Sequence, residues 1–450
     1  MKTYKIINFF LLFMFSFSFA YAESIQVSLI KKENPVTYYM DREEAIVIAL
    51  QEAQGKGALD TAQPEKTAGE TEFKDYKEIR ERIYFLPAWL HPYLFFNTEY
   101  NDNIYLTDKN QVEDVIFSAM PGAKLNYYPM GIPGSRESEA EKLELDLGAN
   151  IVSYLKNTGL NRQNPYVNLY TKMGRGIHKF NINNFYKRES SPTSSFTLGE
   201  QGLVDYQVNK SEVLYEAMFS HLSLELGYDR EIFSFDDAPY KTTNNRLDQA
   251  FSISGALRLS SLPRTRFFLE YDYGMNSYPK ATTDSGDSTY HKAWLGVKGR
   301  LFPKTQGQTK VGYEMRKYKD SSDVGSLTVN FQIEHDYSPL TRLLLELSRQ
   351  IQDSTYRGDG YSESTVFSLK ASRTFASNRR FSIFSGLDYS YDKYQSGRHD
   401  NSYGASTDLE YSFRKWLKFI LGYKLKFRDS NSRDADYINN ICTLTTMAVF

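Results

Sequence analysis

Histidines that stand beside hydroxyl or acidic side chains are the groups in this 450-residue chain whose types and spacing could support catalysis. Three such pairs occur: His221 with Ser223, His335 with Asp336, and His399 with Asp400. An imidazole can act as a general base, a serine hydroxyl as a nucleophile, and an aspartate can orient the imidazole. Each pair is therefore a candidate for hydrolytic chemistry.

The pairs are similar to motifs of known outer-membrane enzymes, but each lacks part of the pattern. His221 and Ser223 resemble the His-x-Ser motif of the outer-membrane phospholipase, without the glycine that follows the serine in that family. The two His/Asp pairs resemble those of omptin proteases, whose barrels have far fewer strands. The sequence contains no Gly-rich phosphate loop, nucleophile elbow or metal-spaced His/Glu set, and Cys442 is its only cysteine. We therefore predict no enzyme activity, catalytic residue, metal or cofactor, and we assign these residues to the interface or the interior of the strand assembly described next.

Apolar and polar side chains alternate along much of the chain, which predicts that the histidines and their neighbours lie on β-strands. Residues 403–427 form two such runs joined at 414–416. In the second run the apolar set is Leu417, Phe419, Leu421, Tyr423, Leu425 and Phe427, and the opposite set is Lys418, Gly422, Lys424, Lys426 and Arg428. A period of two indicates a strand, and about ten residues suffice for a tilted strand to cross the hydrocarbon core of a bilayer. The charged opposite face suits a water-filled lumen.

The same alternation recurs from Trp89 to the C terminus, and short connections alternate with long ones. Short connections are predicted at 261–264, 304–307, 338–340, 377–380 and 414–416, and longer ones at 190–204, 235–245, 279–288, 353–360 and 429–436. The exception is the long connection at 129–141. This pattern predicts an all-β fold: a transmembrane, antiparallel, up-and-down outer-membrane β-barrel of about 18 strands over 89–450. A secreted β-sandwich or solenoid is the alternative, but its strands are usually shorter.

The first 88 residues differ from the barrel. Lys2 and Lys5 precede an apolar run at 6–19, and an Ala-x-Ala site ends at Ala22, which predicts a signal peptide over 1–22. A membrane anchor is the alternative, but the run is shorter than a spanning helix needs. Residues 23–88 predict a periplasmic segment with a short helix from Asp41 and a linker at 57–72. The letters YYMDREEAIVIALQEAQ are similar to the opening helix of tolC-type efflux factors, although the long heptad helices of that family are missing. This helix could dock on a partner or inside the pore.

The overall composition excludes two broad classes. The formal net charge of -1 gives no basic excess for a nucleic-acid partner. The mean hydropathy of -0.53 excludes a helical membrane protein, whereas a barrel tolerates it because half of each strand is polar.

The proposed inner face carries basic residues on neighbouring strands. The predicted basic track consists of Lys292, Lys298, Arg300, Lys310 and Arg316, and of a second ladder of Lys418, Lys424, Lys426 and Arg428. Acidic residues on facing strands, such as Asp388 and Glu270, allow mutual salt bridging that stabilises a polar interior. The alternative is a local positive path that attracts an anionic solute or polysaccharide.

The barrel resembles the bacterial family of putative β-barrel porin 2. The likeness is strongest over 94–127, where a first strand ends in Tyr-x-Asp-Asn-Ile and a second strand carries Pro121-Gly122. Members are often associated with exopolysaccharide production, so the resemblance implies an outer-membrane channel with periplasmic polysaccharide-export components as possible partners. The final residue, Phe450, resembles the terminal signal that barrel-assembly machinery recognises.

Taken together, we expect a protein in contact with outer-membrane lipid that acts as a diffusion channel or export conduit for polar solutes. A closed structural or adhesin barrel linked to exopolysaccharide secretion is the alternative, and an outer-membrane hydrolase a more distant one. No nucleic-acid partner is expected.

Export through the inner membrane should remove residues 1–22. We expect the mature protein to begin at Glu23, because the Ala-x-Ala site ends at Ala22. Intact mass measurement of protein purified from outer membranes checks this cleavage. A protein whose mass still includes the apolar run would contradict the signal-peptide prediction and favour the anchor.

Overall fold

The computed structural model describes Pro87 and residues 89–450, apart from 128–140, 198–199, 280–285, 320–321, 355, 357–359 and 376–378. The predicted signal peptide and the predicted helix from Asp41 lie outside the described residues. The described part is dominated by eighteen strands. They are β1 Leu90–Asn101, β2 Asp114–Tyr127, β3 Lys142–Tyr154, β4 Arg162–Arg175, β5 His178–Pro192, β6 Leu203–Met218, β7 Leu222–Phe235, β8 Arg246–Arg258, β9 Thr265–Ser277, β10 Ser288–Phe302, β11 Thr305–Tyr318, β12 Val324–Ser338, β13 Thr341–Asp353, β14 Tyr361–Thr374, β15 Phe381–Tyr394, β16 His399–Arg414, β17 Leu417–Ser430 and β18 Tyr437–Val449.

Each strand pairs antiparallel with the strands before and after it, and β1 pairs with β18. Tyr93 lies opposite Val449, and the pairing continues to Asn101 opposite Ile441. The sheet is therefore a closed cylinder. The predicted antiparallel barrel of about 18 strands is confirmed.

Alternation along each strand sorts the side chains into two environments. On β17, Leu421 and Tyr423 are exposed on the outside, whereas Gly422 between them is buried. Lys418, on the same face as Gly422, donates to Glu410 of the neighbouring strand. Because successive residues of a strand point to opposite faces, the even positions of β17 line the lumen and the odd ones face outward.

The connections differ in length between the two ends of the barrel. Those after even-numbered strands include the two-residue links 176–177, 303–304, 339–340 and 415–416, and those after odd-numbered strands include 102–113, 193–202 and 236–245. We name the two ends of the barrel accordingly the short-connection end and the long-connection end. The link 128–141 is long at the short-connection end, as the sequence predicted. Three of the predicted short links are tighter than expected: β11 already begins at Thr305, because Lys304 turns the chain with a φ of 62°, β12 continues to Ser338, and β16 continues to Arg414.

Short pieces outside the sheet lie mainly at the long-connection end. They are one helix, Ala238–Thr243, and the single-turn segments Thr158–Leu160, Thr193–Ser195 and Arg433–Ala435. Among the described residues, no helix is long and apolar enough to cross a membrane.

Exposed aromatic side chains surround the short-connection end. Trp89, Phe302, Tyr337 and Phe413 are exposed there, and Trp416 stacks on Phe450 with ring centroids 5.6 Å apart. Aromatic rings favour the interface between hydrocarbon and water, because one edge is apolar and the other can be hydrated. This placement is typical of the aromatic girdle of outer-membrane barrels.

Two exposed apolar side chains at the same height distinguish the faces. Leu421 is 58% exposed and lies on the outer face. Phe384 is 42% exposed and lies on the inner face, because it pairs with Asp408 of β16, which in turn pairs with the inward-facing Gly422 of β17. We expect Leu421→Arg to lower the free energy of unfolding by roughly 2 kcal/mol, because a charge then faces lipid. Phe384→Arg should cost little, because its guanidinium reaches water and lies near Asp408.

Urea unfolding in lipid vesicles, followed by the heat-dependent gel mobility of the folded barrel, measures both free energies. The two substitutions serve as controls for each other, since both replace an exposed apolar residue by arginine. An equal loss of stability for the two variants would contradict the assignment of Phe384 to the lumen.

Candidate solute pathway in the barrel lumen

The inner wall formed by β7, β9, β10 and β11 is lined by ion pairs between strands. Lys298 Nζ lies 2.6 Å from Glu225 Oε1, and Lys310 Nζ lies 2.6 Å from Glu270 Oε1. These bonds join residues that are 73 and 40 positions apart in sequence. Period-two alternation in the sequence places all four side chains on the inner face, and the closed sheet then brings the opposite charges together.

The remaining residues of the first basic ladder divide between paired and exposed positions. Lys292 Nζ lies 3.1 Å from Glu314 Oε2, and Arg316 bonds both Glu314, at 2.9 Å, and Asp353, at 2.6 Å. Arg300 is exposed near the C-terminal end of β10, where its backbone N–H donates to the carbonyl of Arg264 at 3.0 Å. Four of the five predicted residues of this ladder therefore form ion pairs with lumen carboxylates.

The second ladder, on β17, is less fully paired. Lys418 Nζ lies 2.9 Å from Glu410 Oε1, and Arg428 Nε lies 4.0 Å from Asp400 Oδ2. Lys424 also has an interaction partner, whereas Lys426 makes no ion pair or side-chain hydrogen bond with the described residues. Lys426 is thus the lumen cation of this ladder whose charge is least compensated.

Pairing changes what a passing ion experiences. The interaction energy between a unit charge and an ion 4 Å away is about 4 kcal/mol at an effective dielectric constant of 20. A carboxylate bonded to the same ammonium group cancels much of that interaction. The ion pairs therefore stabilise a polar wall. Attraction of anions along the basic track stays a prediction, and it depends most on Lys426.

Aromatic rings on the inner wall lie flat over glycines of neighbouring strands. A Cβ built on Gly274 would lie 2.1 Å from the ring of Tyr290, and one on Gly296 would lie 2.4 Å from the ring of Phe268. Trp294 covers Gly312 of β11 in the same way. Because glycine has no side chain, each ring can lie along the wall instead of standing out into the lumen.

Two further rings, from β1 and β4, meet over the inner faces of β2 and β3. Tyr93 lies over Gly122 and Tyr166 over Gly148, and their hydroxyl groups contact each other. Tyr93 Oη also donates to Asp146 Oδ1 at 2.5 Å. The bond holds the Tyr93 ring across β2 against the inner face of β3.

This pair belongs to an apolar patch that the sequence interpretation missed. Its buried members are Tyr93, Phe95, Met120, Tyr166 and Met447, with Phe185, Ile420 and Val449 packed against them. They lie on the inner faces of β1, β2, β4, β5, β17 and β18. The signal was present in β1, where the inner positions 93 and 95 are as apolar as the outer ones at 94 and 96.

The long-connection end is narrowed by apolar groups that fold inward. Phe196 of the link after β5 packs edge-on against Phe235, with centroids 5.3 Å apart, and against Tyr240 at 5.6 Å. Ile104, from the link after β1, packs with Tyr154 of the β3 inner face. These side chains cover part of the lumen wall near this opening.

A cluster of rings and guanidinium groups lies at the same end, in and beside the link between β15 and β16. Arg398 lies over the ring of Tyr356 at 4.0 Å and of Tyr394 at 4.4 Å, and it pairs with Asp400. Burial alone would lower the pKa of Arg398, but the hydrogen bond that it donates to Asp400 and the two phenols raise this pKa above the ordinary arginine value. The guanidinium is therefore a permanent charge that orders these groups.

The three candidate catalytic pairs are not brought into contact. His335 donates to or accepts from Thr305 Oγ1 at 2.9 Å, whereas Asp336 accepts from Arg342 on the opposite face of β12. His399 and Asp400 are likewise successive residues of β16, so their side chains point to opposite faces. His221 lies in the link before β7, and Ser223 is buried at the start of that strand. Across the described residues, no group of three or more His, Cys, Asp or Glu side chains is arranged to hold a metal ion.

Solved structures with a similar fold are outer-membrane porins. OccK2 (OpdF) of Pseudomonas aeruginosa, solved in complex with glucuronate, is 10% identical with a TM-score of 0.46, and the match covers 80% of this chain and 98% of that one. OpdK of the same organism is 11% identical with a TM-score of 0.44, covering 80% and 99%. OccAB3 of Acinetobacter baumannii is 11% identical with a TM-score of 0.43, covering 81% and 100%. A comparison with curated proteins finds no match.

A closed barrel with an apolar outer face and a polar, ion-paired lumen defines a porin-like protein of the outer membrane. The family model described as putative β-barrel porin 2 matches residues 89–449. The chain belongs to this family, as the resemblance over its first two strands indicated.

The contact between the Tyr290 ring and Gly274 should appear as an energetic coupling. We expect Gly274→Ala to lower the free energy of unfolding by roughly 1–3 kcal/mol, because the new methyl group forces the ring off the wall. In a Tyr290→Ala background the same substitution should be nearly neutral. Urea unfolding of the four proteins of this double-mutant cycle measures the coupling.

Gly255→Ala is the matched control, because no atom lies within 4 Å of a Cβ built there. That variant should be neutral or slightly stabilising, since alanine loses less backbone entropy than glycine. Equal effects of Gly274→Ala with and without the Tyr290 ring would show that the ring contact does not matter.

Proposed function

We propose that the barrel is a channel through which polar solutes diffuse across the outer membrane. The supporting observation is the composition of the inner wall. Charged side chains line it on most strands, and several of those on β7, β9, β10 and β11 are paired, for example Lys298 with Glu225 and Lys310 with Glu270. Such groups are stable at these positions if water fills the lumen, because an apolar filling would leave the charges poorly solvated.

Saccharides are the solute class that this lining favours. Ion pairs and amides offer hydrogen-bond donors and acceptors to hydroxyl groups, while their balanced charge does not trap an ion. The ring of Phe384, which is exposed on the inner face, adds apolar surface for the face of a sugar ring. The link to exopolysaccharide export, with periplasmic export components as partners, comes from the family resemblance and is part of the proposal. Recognition of Phe450 by barrel-assembly machinery is proposed on the same basis.

A closed scaffold is the second candidate, and the packing at both openings favours it. The apolar patch around Tyr93 and Phe95 covers part of the wall near one end, and the cluster around Phe196 and Phe235 covers part of it near the other. If these clusters met across the lumen, the barrel would be an outer-membrane structural or adhesive element without flux.

Single-channel recording in planar bilayers separates the two candidates. A channel should give discrete, salt-dependent conductance steps for the folded barrel, and liposomes that contain it should swell in solutions of small neutral sugars. Heat-unfolded protein at the same concentration is the control. Folded, inserted protein without conductance steps or swelling would favour the closed scaffold.

Ion selectivity tests the basic track. The double variant Lys424→Glu and Lys426→Glu should shift the reversal potential toward cation selectivity, because it replaces two lumen cations by two anions. Lys298→Gln with Glu225→Gln is the control, since it removes a paired cation and anion and leaves the lumen charge unchanged. An unchanged reversal potential in the first variant would eliminate the basic track as a selectivity element.

A further inference from the structure

The wall of the barrel is incomplete between β12 and β13 at the long-connection end. The pairing of these strands ends at Val329 opposite Arg349, although β12 begins five residues earlier, at Val324. The pairing of β13 with β14, in contrast, continues to Asp353 opposite Tyr361. The outer end of this hairpin, residues 350–353 and 361–364, has therefore separated from β12, while its β14 half stays paired with β15 up to Ser362 opposite Tyr394. We call this outer end the flap.

Side-chain contacts show that the flap lies inside the lumen. Asp353 accepts from Arg316 Nη1 of β11 at 2.6 Å and contacts the amide of Asn276 on β9. Tyr361 stacks on Tyr318 of β11, with ring centroids 5.4 Å apart. Because β12 lies between β11 and β13 in the wall, Asp353 can reach Arg316 only by passing over the inner side of β12.

Strand parity and burial support the same placement. In the part of β13 that pairs with β12, the odd-numbered positions, such as Leu345, face outward. The flap residues Ile351, Asp353 and Glu363 are also odd-numbered. In the flap these odd positions instead contact the inner wall: Glu363 accepts from Ser326 Oγ at 3.0 Å. Ile351 is 2% exposed and Thr328, on the inner face of β12, is 0% exposed.

The pair of Arg316 and Asp353 is the strongest bond between the flap and the wall. Both side chains are almost completely buried, and Arg316 also bonds Glu314, whose side chain is fully buried. Arg316 Nη2 additionally donates to the carbonyl of Ile351 at 3.4 Å. Charge-assisted bonds in a buried setting are strong, and loss of one partner leaves the other charge unpaired.

The flap also has a second place that it could occupy. Continued in register, the pairing of β12 with β13 would bring Gln352 opposite Ser326 and would satisfy the backbone groups of 324–328 on that side. Ile351 would then face outward beside Leu327, as the alternation of β13 requires. Strand pairing and the Arg316–Asp353 bond thus compete for the same hairpin.

We propose that the flap has two positions, one folded into the lumen and one completing the wall, and that the bond between Arg316 and Asp353 holds it in the lumen. In the first position it narrows the passage from one side, and in the second the passage is wider. This proposal extends the channel function, on which its effect on flux depends. The flap is then the element that sets conductance at the long-connection end.

Conductance measures the effect of the flap on flux. Asp353→Asn removes the charge that holds Arg316, and we expect the main conductance level to rise about twofold, with added switching between levels. Tyr361→Ser loosens the flap without altering a buried charge and should act in the same direction. Gel mobility before and after heating establishes that each variant is folded.

Glu225→Gln is the matched control for Asp353→Asn. It also removes one lumen carboxylate that is bonded to a cation at 2.6 Å, but Glu225 does not touch the flap. Its conductance should change much less than that of Asp353→Asn, because it alters the lumen charge and leaves the flap in place. Equal increases for Glu225→Gln and Asp353→Asn would assign the effect to lumen charge and overturn the flap proposal.

A disulfide tests the movement without reference to ion flow. In a Cys442→Ser background, Ser326→Cys with Gln352→Cys places two thiols opposite each other only in the wall-completing register. Oxidation should cross-link them slowly in the otherwise wild-type barrel and much faster with Asp353→Asn, and the cross-linked barrel should keep the higher conductance. A folded Asp353→Asn barrel that never forms this disulfide would overturn the two-position flap. If the disulfide formed but neither the wild-type barrel nor any variant gave conductance, the channel proposal would be overturned and the two positions of the flap would still be supported.

Discussion

Backbone hydrogen bonding in lipid is the constraint on which the rest of this structure depends. An unpaired N–H or C=O group in hydrocarbon costs several kcal/mol, so a sheet can cross a bilayer only if its two edges are joined. Here the join is made by β1 and β18, and the side chains of Asn97 and Thr445 bond across it at 2.8 Å. Closure then fixes an outer face in contact with lipid and an inner face in contact with water.

The inner face solves two problems that closure creates. Charged side chains that lie close together on the inner face would repel or remain unpaired, and here many are arranged as pairs of opposite sign, such as Lys310 with Glu270 across β10. Large rings would fill the passage if they stood upright, and here they lie over glycines, as Tyr290 does over Gly274. Both arrangements keep the wall thin and polar. The flap is the exception, since it brings the outer end of β13 over the inner side of β12.

The fold could be predicted from the sequence because its signal is local. Strands such as β17 show their period of two within about ten residues, and the alternation of link lengths follows directly along the chain. The side-chain partners could not be predicted in this way. The bond between Asp353 and Asn276 joins residues 77 positions apart, and its existence depends on where β13 leaves the wall. The apolar patch around Phe95 was missed because its inner positions interrupt the polar face that the alternation predicts.

Joining the first strand to the last has a consequence for how the molecule is made. Asn97 and Thr445 are 348 positions apart, so the contact that completes the cylinder can form only after almost the whole chain has been synthesised. Until then each strand exposes one adhesive apolar stripe and an open edge, which is the state in which sheets aggregate. The polypeptide therefore has to stay unfolded until it reaches the membrane, and we expect the pairing of β1 with β18 to be the slowest step of its folding.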